Sequence, residues 1–208
     1  MAAYGFVPKL HQVLVEALSS SEAYLSTFDL FQRKTTLSPM EQQVVMTTAN
    51  FENRCHYCTA GHSFFMRLSG LSAAHIEALH EGRPLSDAKL ETLRTFARDL
   101  LERRGHVGDD RLNAFLNAGY TRRQALEVLT GLTAKLISNF TNALAHTEVD
   151  EPITSRGGIP PTARWPRLEA RFGDNADNPP RSHRRLHANA TVVICARLQC
   201  AGTRFWLS

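Results

Sequence analysis

Helix starts and stops punctuate the first 150 residues of this 208-residue chain so closely that they leave room for little but helices. Pro8 can open the first, where a missing donor costs nothing, and the segment reads on to about Phe31 with Val13 and Ala17 facing inward, joined by Leu10, Leu14 and Leu18. Ser38-Pro39-Met40-Glu41 is a capping box with proline at the first helical position, and its helix carries Val44, Val45, Met46 and Ala49 to about Asn50. Asn53 can cap a third helix that Gly70 stops. Ser72 starts a short helix to about His80, and Ser86 a longer one ending at Gly105. Asp109 or Asp110 starts another, stopped by Gly119. Thr121 begins the last, which runs to about His146 with Leu126, Leu129, Leu132, Leu136 and Ile137 along it. No convincing β alternation interrupts the series, so the expectation is an all-α domain over residues 1–150.

The text changes after Asp150. Six of the nine prolines lie in residues 151–208, and Asn175 to Pro180 offers nothing to pack. That composition favours an irregular, disordered tail. Ala190 to Cys195 reads as a short strand, but a lone strand has no partner in a helical chain. The formal charge of +4 is misplaced for nucleic-acid binding: residues 1–150 hold 15 Lys+Arg against 16 Asp+Glu, and the tail holds 9 arginines against 4 acids. Phosphate recognition needs a basic face on the folded body, which this body lacks. The tail reads as a solvated extension rather than an arm for anionic partners. No apolar run approaches a membrane span. Lys9, His11 and Glu16 break the apolar content of residues 1–18, so no secretory signal is expected and the cytoplasm is the expected location.

Chemistry concentrates in Glu52-Asn53-Arg54-Cys55-His56-Tyr57-Cys58-Thr59-Ala60-Gly61-His62. Steps of three and four put Cys55, Cys58 and His62 on one helix stripe. Cys55 falls in the first turn, where free N–H groups and the positive end of the helix dipole favour a thiolate, the reacting form of cysteine. His62, a turn beyond Cys58, is placed to take its proton or stabilise its charge. The two cysteines can close a small disulfide, which suits a cycle of attack by one sulfur and resolution by the other. A structural zinc site needs four ligands and finds three here, because Cys195 and Cys200 are too loosely spaced to complete the set, so no metal is expected. A structural disulfide does not suit a reducing cytosol. Two inert buried cysteines are the blandest alternative, and the capping residue and the histidine in register weigh against it.

Asn53-x-Cys55-x-Tyr57-Cys58-x-x-x-His62, with Gly70 eight residues on, resembles the signature of the carboxymuconolactone decarboxylase superfamily, and within it the CxxC branch of alkylhydroperoxidase D (AhpD)-like proteins. The similarity runs from about Leu10 to Pro152; CxxCxxxH is its specific part, and the Ser38-Pro39 opening and the last helix with Asn139, Asn142, His146 and Asp150 also fit. It implies an all-helical fold assembled as a homotrimer or homohexamer. It implies a thiol peroxidase that uses no cofactor, reduces hydrogen peroxide or small organic hydroperoxides, and is restored by an external dithiol. Carried over by residue, Cys58 is the attacking sulfur, Cys55 its disulfide partner, and His62 part of the proton relay.

One position departs from that pattern. The relay glutamate stands twelve residues before the first cysteine, and the residue there is Gln43, which cannot shuttle a proton at neutral pH. Glu41 is about 200° away round the helix. Glu52 is near in sequence, at the bend before Cys55. Tyr57 stands between the cysteines where some peroxidases have histidine, with His56 adjacent. Gln43, Glu52 and Tyr57 are therefore the supporting candidates. Asn139, Asn142 and His146 recur at helical steps and can form a polar seam at the site or a subunit contact, the plainer reading being satisfied core groups. His11, His75, His80 and His106 read as surface residues, and Phe64, Phe65 and Phe140 as packing. Two other functions compete: a lactone decarboxylase, which does not need CxxC, and a non-catalytic oligomeric redox sensor.

Overall fold

The computed structural model describes residues 6–154, and among them the chain forms nine helices and no strand. They are α1 (Lys9–Leu14), α2 (Leu18–Lys34), α3 (Pro39–Glu52), α4 (His56–Leu68), α5 (Ala73–Glu81), α6 (Ala88–Glu102), α7 (Gly108–Asn117), α8 (Arg122–Leu144) and α9 (Glu151–Thr154). The expected strand at 190–195 and the tail beyond Thr154 lie outside the described residues.

Helix α3 is the centre. Its start is the capping box read from the sequence: the Glu41 N–H donates to Ser38 Oγ, and the Ser38 N–H donates to Glu41 Oε2 at 2.8 Å. A cap of this kind contributes about 1 kcal/mol. Every residue from Glu41 to Asn50 is buried, as befits a helix enclosed on all sides. Helices α4, α5, α6 and α8 pack around it. Helix α8 also lies along α2, and the approach is close because residue 131 is glycine: a Cβ there would stand 2.6 Å from the ring of fully buried Phe31. A stack of Phe96, Phe115 and Tyr120, with centroids 4.2 and 4.5 Å apart, ties α6 and α7 to the segment before α8.

The main apolar core runs from Phe31 and Val44 to Phe115 and Leu132. A second, smaller cluster joins Leu10, Leu14 and Tyr24 to Cys55, Tyr57 and Cys58. The cysteines thus belong to a small buried cluster with residues of α1 and α2, joined to the main core through Phe28.

Several boundaries differ from the sequence reading. The first helix is two: Ala17 adopts an extended backbone between α1 and α2, and the Ala17 N–H closes a tight turn on the Leu14 carbonyl at 3.1 Å. The break lets Leu10 and Leu14 turn into the smaller cluster while Tyr24 and Phe31 face inward on a new register. Ala17 and Leu18 are exposed in consequence, and Val13 is half-buried. Asp87, not Ser86, caps α6, accepting from the Leu90 N–H at 2.9 Å, and α7 begins at Gly108 after Val107. Thr121 caps α8 with a capping box as read, and the stops at Gly70, Gly105 and Gly119 have left-handed backbones.

Candidate active site

The CxxC is presented by the bend between α3 and α4. Asn53 ends α3 rather than starting α4, and Arg54 takes a left-handed backbone (φ 53°), which costs a side-chain-bearing residue roughly 1–2 kcal/mol. That turn brings the Cys55 N–H onto the Asn50 carbonyl at 2.9 Å. Cys55 itself is the N-cap of α4: its Sγ accepts from the Cys58 N–H at 3.4 Å, the role serine or aspartate usually fills. Behind the bend, the Asn139 side chain of α8 lies 3.0 Å from both the Asn50 and the Asn53 side chains, clamping the end of α3.

Both cysteines are free thiols, buried, and 3.2 Å apart. Asn142 Nδ2 donates to Cys58 Sγ at 3.3 Å and reaches Cys55 Sγ at 3.8 Å, and Ser138 Oγ lies 3.8 Å from Cys58 Sγ. The two sulfurs are driven apart in acidity. Burial works against a Cys58 thiolate, but the hydrogen bond from Cys55, the charge of Lys135 and the Ser138 hydroxyl together bring its pKa down to about 5. The same hydrogen bond, with burial, pushes the Cys55 thiol up. The surroundings thereby favour the thiolate at Cys58 and the thiol at Cys55.

His62 lies one turn along α4, buried, and meets α3 and α8. Its Nδ1 is 2.9 Å from Gln43 Oε1, and its Nε2 is 3.1 Å from Lys135 Nζ. An ammonium can only donate, so Nε2 accepts, Nδ1 carries the proton, and Gln43 receives it. Burial and the Lys135 charge hold the imidazole neutral, well below its ordinary pKa. Among the described residues no hydrogen bond joins His62 to either sulfur.

Tyr57 fastens the cover. Its hydroxyl donates to Asp150 Oδ2 at 2.5 Å and accepts from the Leu10 N–H at 3.3 Å, and the Lys9 N–H lies 3.3 Å from both Asp150 oxygens. The start of α1 and the end of the helical body therefore meet on the residue between the cysteines. Burial and Asp150 push the Tyr57 hydroxyl above its usual pKa, so it remains a donor.

Of the residues singled out in the sequence, Cys55, Cys58 and Tyr57 gather at one place, with His62 and Gln43 in an adjoining chain. Glu52 does not join them: it lies among Glu102, Arg98, Arg94 and Arg54, where burial raises its pKa. Glu41 is committed to Ser38 and to Lys89 at 3.2 Å. The seam expected of Asn139 and Asn142 is present at the site, whereas His146 is exposed. His80 is half-buried, not superficial, 3.4 Å from Ser63 Oγ, with a pKa lowered to about 4 by burial and Arg67. Phe140 is exposed, and Phe64, also exposed, sets its ring edge against Phe65 at 5.7 Å between centroids. Lys135 was not anticipated, because lysine reads as a surface residue. Its signal was its company: Lys135, Ser138, Asn139 and Asn142 follow the i, i+3, i+4, i+7 rhythm of a single helix face.

The all-helical body buries the Cys55–Cys58 pair at the start of a helix. Its backbone matches solved structures. One is an alkylhydroperoxidase AhpD core described as an uncharacterized peroxidase-related protein from Ralstonia eutropha JMP134 (TM-score 0.66, 17% identity, covering 75% of this chain and 84% of that one). A second is an uncharacterized peroxidase-related protein from Silicibacter sp. TM1040 (0.58, 16%, 70% and 77%). A third is a cysteine-to-alanine variant of the debrominase Bmp8 in complex with 2,3,4-tribromopyrrole (0.62, 12%, 73% and 81%). The chain has the AhpD-like helical fold. No protein-family model matches it, and no curated protein sequence does so significantly.

Proposed function

We propose that the chain is a thiol-dependent peroxidase and disulfide reductase in which Cys55 and Cys58 reduce hydrogen peroxide or small organic hydroperoxides. The observation that carries this reading is the buried pair of sulfurs 3.2 Å apart with opposite acidity. Cys58 thiolate attacks the peroxide oxygen; with one proton taken up, the O–O bond breaks to give a Cys58 sulfenic acid and an alcohol or water. The Cys55 thiol then attacks that sulfur, water leaves, and the disulfide forms. An external dithiol returns two electrons and two hydrogens and departs as its own disulfide. Asn142 orients the attacking sulfur, and the Cys55 thiol is the nearest acid to it.

Reduced protein is expected to consume peroxide with a dithiol donor. Cys58→Ser abolishes this, and Cys55→Ser permits at most one turnover. Turnover by the double cysteine variant at the wild-type rate sinks the reading. Gln43 favours a second function, that of a redox sensor without efficient turnover: the chain from Lys135 through His62 ends on an amide that passes no proton. Gln43→Glu separates the two, since a peroxidase short of a relay acid speeds up and a sensor does not. The assembly proposed is a homotrimer or homohexamer, supported by the exposed Leu126, Leu129, Phe140 and Leu144 of α8. Light scattering gives the mass that decides it.

A further inference from the structure

Lys135 is 1% exposed, and among the described residues its ammonium meets no carboxylate; its one hydrogen bond runs to neutral His62 at 3.1 Å. A buried cation without a counter-charge is costly. Helix α3 offers it Gln43, and α8 offers Ser138, Asn139 and Asn142, none of which ionises. Helix α4 offers His62, which is neutral, and the Cys55–Cys58 pair. Among the described residues, the only anion these surroundings can supply is a thiolate. The side chains of α8 select which: Asn142 Nδ2 lies 3.3 Å from Cys58 Sγ against 3.8 Å from Cys55 Sγ, and Ser138 Oγ lies 3.8 Å from Cys58 Sγ.

We propose that Lys135 is the fixed counter-cation of the Cys58 thiolate, and that this pairing makes the Cys55–Cys58 disulfide an oxidant of dithiols. The inference rests on the reading that the pair cycles between dithiol and disulfide. In the reduced protein the charges of Lys135 and Cys58 cancel. Closing the disulfide removes the negative charge and leaves the buried ammonium with one imidazole lone pair. The reduced form is therefore favoured selectively, and a disulfide whose reduced form is stabilised takes electrons readily. When a dithiol R(SH)2 reduces the bond, two electrons enter. One hydrogen goes to Cys55 as its thiol, the other leaves to solvent as a proton, and Cys58 is released as thiolate with RS2 as product. The pKa of about 5 at Cys58 agrees with such a pairing. The partner class that follows is a dithiol reductant of ordinary potential, for which reduction of this site runs downhill.

The test is equilibration of the full chain with mixtures of reduced and oxidised glutathione, with the disulfide fraction read by acid quench, alkylation and mass. In Lys135→Met, near in shape and uncharged, the constant for disulfide formation is expected to rise at least tenfold, which is about 30 mV for a two-electron couple. The ultraviolet thiolate absorbance of the same variant should titrate at least one pH unit higher than wild type. A merely structural lysine would change the melting temperature and neither of these. Reversible disulfide formation whose constant Lys135→Met leaves within twofold overturns this inference alone. Wild-type thiolate absorbance titrating at or above the ordinary value of about 8.5 overturns it without any variant. A wild type that forms no Cys55–Cys58 disulfide even in oxidised glutathione overturns the cycling reading beneath it.

Discussion

The two faces of α8 are inverted over its second half. After Val128, Leu132 and Ala134, which are buried and apolar, the face turned into the protein carries Lys135, Ser138, Asn139 and Asn142, all buried, while the outward face of the helix carries Leu126, Leu129, Phe140 and Leu144. An ordinary surface helix does the reverse. The inner polar residues stand where α3, α4 and α8 meet: Ser138 and Asn142 reach the sulfurs, Asn139 holds the end of α3, and Lys135 meets His62. The outward apolarity marks the surface on which a further copy is proposed to sit.

Damage should be unequal between the faces. Asn139→Leu keeps the volume but leaves the Asn50 and Asn53 amides unanswered, at about 1–3 kcal/mol each, and urea unfolding should register a loss of roughly 2–4 kcal/mol. A loss under 0.5 kcal/mol would make the inner seam decorative. Gly131→Ala, on the line where α8 meets α2, gains helix propensity but drives a methyl group into Phe31, which is fully buried and cannot yield; a net loss of about 1–2 kcal/mol is expected in the same assay.

Acid should also act on the inner side. His62 is held neutral with its pKa depressed, so as pH falls below about 6.5 the unfolded chain binds a proton that the folded chain refuses. Stability then drops with falling pH by up to about 1.4 kcal/mol per unit from this residue alone. His62→Gln should flatten that slope between pH 6.5 and 4.5, and an unchanged slope would mean that the imidazole is protonated in place. On the outer face, Leu126→Glu with Phe140→Glu should cost the monomer at most about 0.5 kcal/mol while lowering the solution mass to that of one chain. An unchanged mass would remove this face from any assembly.

What could be read in advance follows from how local each determinant is. Ser38, Ser72, Thr121 and the glycine stops are cap chemistry, fixed within four residues, and they placed α3, α5 and α8 well. The break at Ala17 has no proline or glycine to announce it; it follows from the docking of Leu10 and Leu14 on Tyr57 and the cysteines, which is tertiary. Asn53 looked like a cap because asparagine usually is one, but a thiol took that place and the amide went to Asn139 instead. The CxxC pair was legible from spacing. Lys135 was not, since 73 residues separate it from the imidazole it touches.

The clasp of Tyr57 on Asp150 turns the cysteines into a reporter of breathing at the two ends of the helical body. Cys58 is 4% exposed, so a reagent in solvent meets it after α1 lifts, and the rate of modification is the chemical rate scaled by the fraction of time the lid is open. Tyr57→Phe removes one tether and should speed labelling by a dilute thiol reagent while the intrinsic acidity of the sulfur stays as it was. The same logic gives any shortened form of the chain a natural terminus: a cut beyond Asp150 spares the lid, and a cut before it leaves α1 to swing.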